Sequence, residues 1–199
     1  AGLNSAKAEH NIGVLELDDF KNPYRALPHF KKALDMGLKR PTLYNLGRTY
    51  MALCDWKADP EPCRLASEYH LRAWNETSEH ESMDEAVLAQ VKACFFERDA
   101  AGLYGLEETV KKAERYCAEA KALAEKGWAE GKSRSAYNRG AIEYHSKNYA
   151  AALPWFQLAN ERKLGKAAFS LGQMLALGQG QPVDKAAALK YFERAAELN

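Results

Sequence analysis

Ala168-Phe-Ser-Leu171-Gly172, then Gly178-Gln-Gly180-Gln-Pro182, then Asp184 and Ala188-x-x-Tyr191-Phe192-x-x-Ala195-Ala196: this run to Asn199 decides how the chain is read. Its first and last parts have helical periodicity, and the middle breaks any helix. Asp184 suits the start of the second helix, because its carboxylate can accept bonds from free N–H groups there. Small Gly172, Ala188 and Ala195 let the two helices approach closely, with Leu171 and Phe192 between them. Such a hairpin has one apolar side that it cannot bury alone, so it makes sense only in series.

The series is present. Alanine, an aromatic three or four residues on, and alanine seven on recur as Ala26-His29/Phe30-Ala33, Ala66-Tyr69-Ala73, Ala113-Tyr116-Ala120, Ala152-Trp155/Phe156-Ala159 and Ala188-Tyr191/Phe192-Ala195. The helix before carries a residue–glycine pair four times, at Ile12-Gly13, Leu46-Gly47, Arg139-Gly140 and Leu171-Gly172. The alanines are spaced by 40, 47, 39 and 36 residues.

Tyr44-Asn45-Leu46-Gly47, Leu171-Gly172, Gly178-Gln-Gly180 and the Ala188 to Ala196 pattern resemble the Sel-one-like repeat, a relative of the tetratricopeptide repeat. The fourth unit is nearer the tetratricopeptide form, and the third lacks the glycine. The resemblance implies an all-α solenoid of about five antiparallel helix pairs in a single domain, residues 1–199. The pairs fall at about 1–37, 41–77, 82–127, 133–163 and 166–199.

Boundary signals fit this division. Asn22-Pro23 and Asp59-Pro60-Glu61-Pro62 start helices, since proline in a first turn loses only an N–H that has no helical partner. Gly37 and Gly127 read as stops, Ser82-x-x-Glu85 as a capping box, and Gly165 as the separator of the last two pairs. The polar run from Asn75 to Glu81 reads as an elongated loop before an unusually long third pair.

Charge is balanced, 28 basic against 27 acidic residues, with no basic block of the kind that tracks phosphates, so no nucleic acid is expected as partner. No uncharged apolar run is long enough to span a bilayer. The chain starts at Ala1 without Met and shows no signal peptide, which fits either a shortened chain or a mature one whose leader was removed; the second is the expectation adopted.

Four cysteines carry the most information. Folding the second pair about a loop near residue 58 puts Cys54 and Cys63 almost symmetrically on either side. In the third pair, Cys94 lies eight residues before the bend at Gly102 to Leu106 and Cys117 eleven after it. At about 1.5 Å per residue the axial mismatch is about 4 Å, so two hairpin-closing disulfides fit. Free thiols packed as small core residues, or a zinc site, are the competing readings; the spacings lack the close Cys-x-x-Cys pair that zinc favours. Cysteine-stapled helix pairs in secreted bacterial relatives favour an oxidising compartment, the periplasm.

No catalytic motif appears, and neither metal nor cofactor is expected. His29 stands at the repeat's aromatic position and His70 where Phe30, Phe156 and Phe192 stand, so packing is the expected role of both. What remains is surface. Tyr44, Arg48, Met51, Tyr137, Tyr144 and Gln173 fall at non-core positions of the first helices, which line the concave face of stacked helix pairs. Tyr, Met and Arg are also types enriched at interfaces. The resulting expectation is a non-enzymatic protein that binds another protein on that face. Small periplasmic proteins resembling this family act as immunity proteins, which suggests neutralisation of an envelope-acting secreted toxin such as a type VI lipase effector. An adaptor of an envelope machine is the alternative, and an enzyme with an unrecognised site a remote one.

Overall fold

The computed structural model describes residues 2–57, 59–77, 82–104 and 107–198, and among these it is all helical, without a strand. The chain parts into two compact units, residues 1–117 and 118–199.

The first unit opens with α1 (Gly2–Val14), which runs into a π-helical turn (Leu15–Asp19). Helix α2 (Pro23–Asp35) follows; its cap is Asn22, whose Oδ1 accepts from the Arg25 N–H at 3.1 Å. Gly37 stops it with φ +90°, a left-handed conformation in which a Cβ would be strained. Helices α3 (Thr42–Lys57) and α4 (Pro60–Thr77) form the next pair, and Asp59 Oδ1 takes the Glu61 N–H at 3.0 Å. Helix α5 (Ser82–Tyr104) follows, and α6 (Glu107–Ala129) begins in the first unit and ends in the second.

The second unit continues with α7 (Ser133–His145), α8 (Tyr149–Glu161), α9 (Gly165–Leu177) and α10 (Lys185–Glu197). Asp184 caps α10 as expected, accepting the Ala187 N–H at 2.9 Å.

Four boundary expectations change. Gly127 lies inside α6, because Trp128 after it packs on the Ala136, Ala159 and Ala167 cluster and carries the helix on; Gly131, at φ +84°, makes the turn. Gly165 is the buried first residue of α9, and Lys163 takes the left-handed turn before it. The capping box is absent: Ser82 is already helical, and its buried Oγ has no hydrogen-bond partner. Asn75 to Thr77 of the expected loop complete α4 instead; residues 78–81, with His80, and 105–106 lie outside the described residues.

Four of the helix pairs repeat one device. A Cβ on Gly13 would stand 2.8 Å from the Phe30 ring, on Gly47 2.6 Å from His70, on Gly140 2.8 Å from Phe156 and on Gly172 2.7 Å from Phe192. The aromatic side chain of the second helix thus fills the groove that glycine leaves in the first. Both expected disulfides are present: Cys54–Cys63 joins α3 to α4 with Cα atoms 5.0 Å apart, and Cys94–Cys117 joins α5 to α6 at 4.6 Å. All four cysteines are buried.

Candidate protein-binding surfaces

In each glycine-bearing pair, the residue three before the glycine lays its ring against the ring that fills the glycine groove. The centroid distances are 5.3 Å for His10–Phe30, 5.4 Å for Tyr44–His70, 5.5 Å for Tyr137–Phe156 and 5.4 Å for Phe169–Phe192. Tyr44 and Tyr137 therefore spend one side on packing and keep only part of the ring open.

In the first unit, Tyr44, Arg48 and Met51 share one stripe of α3 at helical spacing. Arg48 is ion-paired within the chain: Nη2 donates to Asp18 Oδ1 at 2.7 Å, and Nη1 to Asp18 Oδ2 at 3.3 Å and to Asn45 Oδ1 at 3.0 Å. Its acidic partner is supplied by the π-helical turn. Met51 packs against the cluster of Leu17, Phe30, Leu46 and Leu53.

In the second unit, Tyr144 stands edge-on to Tyr149 with centroids 5.3 Å apart and reaches Phe156 at 6.2 Å. Gln173 is half-buried on α9. Beside this stripe, buried Glu143 accepts from Arg139 at 2.6 Å, Lys121 at 2.8 Å and Asn148 at 3.2 Å. Burial works to raise its pKa, but the hydrogen bonds from Lys121 and Arg139 outweigh that and hold the carboxyl below its ordinary range. Arg139 stands where Leu46 and Leu171 stand in their pairs. It is accommodated by Glu143 and Glu125 and by the Trp155 ring 5.3 Å beneath it.

The histidines divide. His70 packs as expected, with Nδ1 buried and unpartnered; burial, and secondarily the charge of Arg48, pushes it down to about 4. His29 does not pack as expected: Phe30 takes the groove, and His29 Nδ1 meets Glu9 Oε2 at 2.8 Å on a half-exposed surface. That contact and the Lys32 ammonium hold the Glu9 carboxyl below its usual range. His10 lies between Thr42 and Asn45 of α3, and burial lowers its pKa as well.

A further exposed aromatic group had no place in the repeat pattern. Phe20 and Trp56 are exposed, and Trp56 meets Tyr24 edge-on at 5.9 Å. All three sit at helix ends, where the helical period no longer says which side faces in. The one sequence signal was that large aromatics stand there at all.

Among the described residues no group of three His, Cys, Asp or Glu side chains could hold a metal ion, and no helix is long and apolar enough to cross a membrane. A shallow depression on α6 gathers Glu108, Lys111, Lys112 and Arg115. Lys111 is paired with Glu107 at 2.5 Å and Lys112 with Glu97 at 2.6 Å.

Antiparallel helix pairs, four of them locked by an aromatic in a glycine groove and with half-exposed side chains along their first helices, define an α-helical repeat protein. The chain belongs to the Sel1 repeat family, whose model matches residues 6–38, 130–163 and 165–199. Sel1 repeats form a protein-interaction fold. Residues 39–129, which hold both disulfides and the two longest helices, lie between the matched segments. No curated protein matches the chain. Among solved structures it is similar to a protective antigen of uropathogenic Escherichia coli strains displaying an SLR fold, at 15% identity and TM-score 0.37 over 96% of this chain. The chain spans 61% of that protein's length. A Sel1 repeat protein from Oxalobacter formigenes is similar at 18% identity and TM-score 0.35, over 98% of this chain and 89% of that one.

Proposed function

We propose that this chain is an exported, non-enzymatic binding protein of the bacterial periplasm that neutralises an envelope-acting secreted toxin, such as a type VI lipase effector, by covering its active site. The reading rests above all on the two buried disulfides, Cys54–Cys63 and Cys94–Cys117, since such bonds persist in oxidising compartments. Binding would use the first-helix surface of each unit: Tyr44, Arg48 and Met51 in the first, Tyr137, Tyr144 and Gln173 in the second. Each is half-buried and so held in place by packing while presenting an open side. Pre-ordered aromatic and arginine side chains lose little entropy on binding, which is why they recur as interface anchors.

The test is protection. Cells carrying the chain in the periplasm are challenged with envelope-acting lipases, and a tagged copy is used to isolate what it binds. Survival, with a bound exported hydrolase whose activity is blocked, is the expected result. A bound hydrolase that stays fully active would sink the proposal, and recovery of secretion or polysaccharide machinery alone would turn it toward an adaptor. The double variants Tyr44→Ala/Met51→Ala and Tyr137→Ala/Gln173→Ala separate the contributions of the two units.

A further inference from the structure

His10 stands, buried, where Tyr44, Tyr137 and Phe169 stand in the other glycine-bearing pairs, and of the four it alone can take a proton near neutral pH. Its ring meets Phe30 of α2 and, on α3, Thr42 and Asn45. Nδ1 lies 3.2 Å from Thr42 Oγ1, and Nε2 3.4 Å from Asn45 Nδ2. Asn45 Oδ1 in turn accepts from Arg48 Nη1 at 3.0 Å, and Arg48 Nη2 reaches Asp18 at 2.7 Å. Surface and interior are joined in one row: Asp18, Arg48, Asn45, His10, Thr42.

Hydrogen-bond chemistry gives this row a direction. Arg48 can only donate, so Asn45 turns its oxygen to the guanidinium and its NH2 to His10. That NH2 also can only donate, so His10 Nε2 must offer a lone pair, and the ring proton sits on Nδ1 and is donated to Thr42 Oγ1. The row therefore needs a neutral imidazole in this one tautomer. A proton on Nε2 would set two donors face to face. His10 and Asn45 are 7% and 8% exposed, which leaves little room for water between them. Thr49 Oγ1 holds the Asn45 carbonyl at 2.7 Å, so the side-chain amide has to give rather than the backbone. Turned over, that amide would satisfy His10 and present its NH2 to the guanidinium, donor against donor.

We propose that His10 is a positioning residue for Arg48: neutral, it holds the guanidinium through Asn45, and on taking a proton it turns the Asn45 amide over and leaves Arg48 with Asp18 alone. Burial pushes His10 below its ordinary 6.5, so the release falls on the acid side of that value. The other ionisable groups at this junction are Glu9 on α1, bonded to His29 and Lys32 of α2, Asp18 on the π-helical turn, and His70 on α4, which is pushed down to about 4. A binding surface on α3 would thus lose its fixed arginine in mild acid. That consequence rests on the reading of Arg48 as a partner-binding residue, whereas the relay itself does not.

The experiment is nitrogen NMR of the full chain, without any partner, across the titration of His10, so its outcome is independent of whether a toxin is bound. At neutral pH the His10 ring is expected as the Nδ1–H tautomer. As it takes a proton, the Arg48 guanidinium and Asn45 amide resonances should shift with the same midpoint. Both observations are made on the wild type. His10→Phe, the residue found at position 169, should abolish the Arg48 transition. Asn45→Asp, which can accept from both neighbours, should also abolish it and raise the His10 midpoint. His70→Phe should leave it in place. Circular dichroism checks that each variant keeps the wild-type helix content. An Nε2–H tautomer at neutral pH would overturn the proposal. So would Arg48 signals that stay constant while His10 titrates, or a transition that survives His10→Phe or disappears with His70→Phe.

Discussion

The imidazole of His70 occupies the space that a side chain on Gly47 would need: a Cβ there would stand 2.6 Å from both Cδ2 and Nε2. The same relation holds between Gly13 and Phe30, Gly140 and Phe156, and Gly172 and Phe192. It makes glycine a steric requirement of these first helices, despite the conformational entropy that glycine costs in a helix interior.

Gly47→Ala and Gly172→Ala should each destabilise the protein by about 1–3 kcal/mol, because the ring below must leave its place or the helices must part. Gly102→Ala is the contrasting variant. It is helical with nothing within 4 Å of the added methyl, so it should be neutral or stabilising by up to about 1 kcal/mol. Chemical denaturation of the three variants measures this; equal losses at all three positions would contradict the groove-filling account.

Acid should weaken the first unit before its carboxylates titrate. The His70 imidazole is held down to about 4 by burial, against an ordinary value of 6.5, so between these values the unfolded chain binds more protons than the folded one. Stability from this group is complete above about pH 6.5 and is lost as pH falls toward 4, by on the order of 3 kcal/mol in all. His10, lowered in the same direction by burial, adds to the slope. His70→Phe, the residue found in three sister repeats, should flatten the acid slope and also relieve the unpartnered Nδ1. Urea midpoints of wild type and variant between pH 4 and 7 test it, and parallel curves would assign the slope to other groups.

The two disulfides should contribute unequally. Chain-entropy reasoning for separations of 9 and 23 residues gives about 2.5 kcal/mol for Cys54–Cys63 and about 3.5 kcal/mol for Cys94–Cys117. Paired alanine substitutions, followed by thermal unfolding, should therefore cost more at the second site. The reverse order would show that packing around the bonds outweighs loop closure.

The Arg48–Asp18 pair should matter little for stability despite its two-pronged geometry. Both side chains are 39% exposed, so solvent screens the attraction, and a double-mutant cycle with alanine should give a coupling of less than about 1 kcal/mol. Arg48→Glu should cost more than Arg48→Ala, because it sets a second carboxylate against Asp18. A coupling well above that limit would mean that the pair holds the π-helical turn in place.

Much of this was legible in one dimension. The alanine–aromatic period and the Leu-Gly pairs determined the helix pairs, because close packing of two helices demands small residues at fixed spacing and a large one opposite. The hairpin geometry likewise brought Cys54 to Cys63 and Cys94 to Cys117, since antiparallel helices place residues equidistant from a bend side by side. Tertiary structure alone decided the fates of the polar side chains. Arg48 found Asp18, thirty residues away and on a turn whose π-helical form no periodicity announces. His29 turned outward to Glu9, while its neighbour Phe30 took the groove. Glu143, with Arg139 one turn back on its own helix, drew in Lys121 from α6. Apolar burial follows a helical period and can be read along the chain, whereas an ion pair depends on which charged tips converge once several helices have packed.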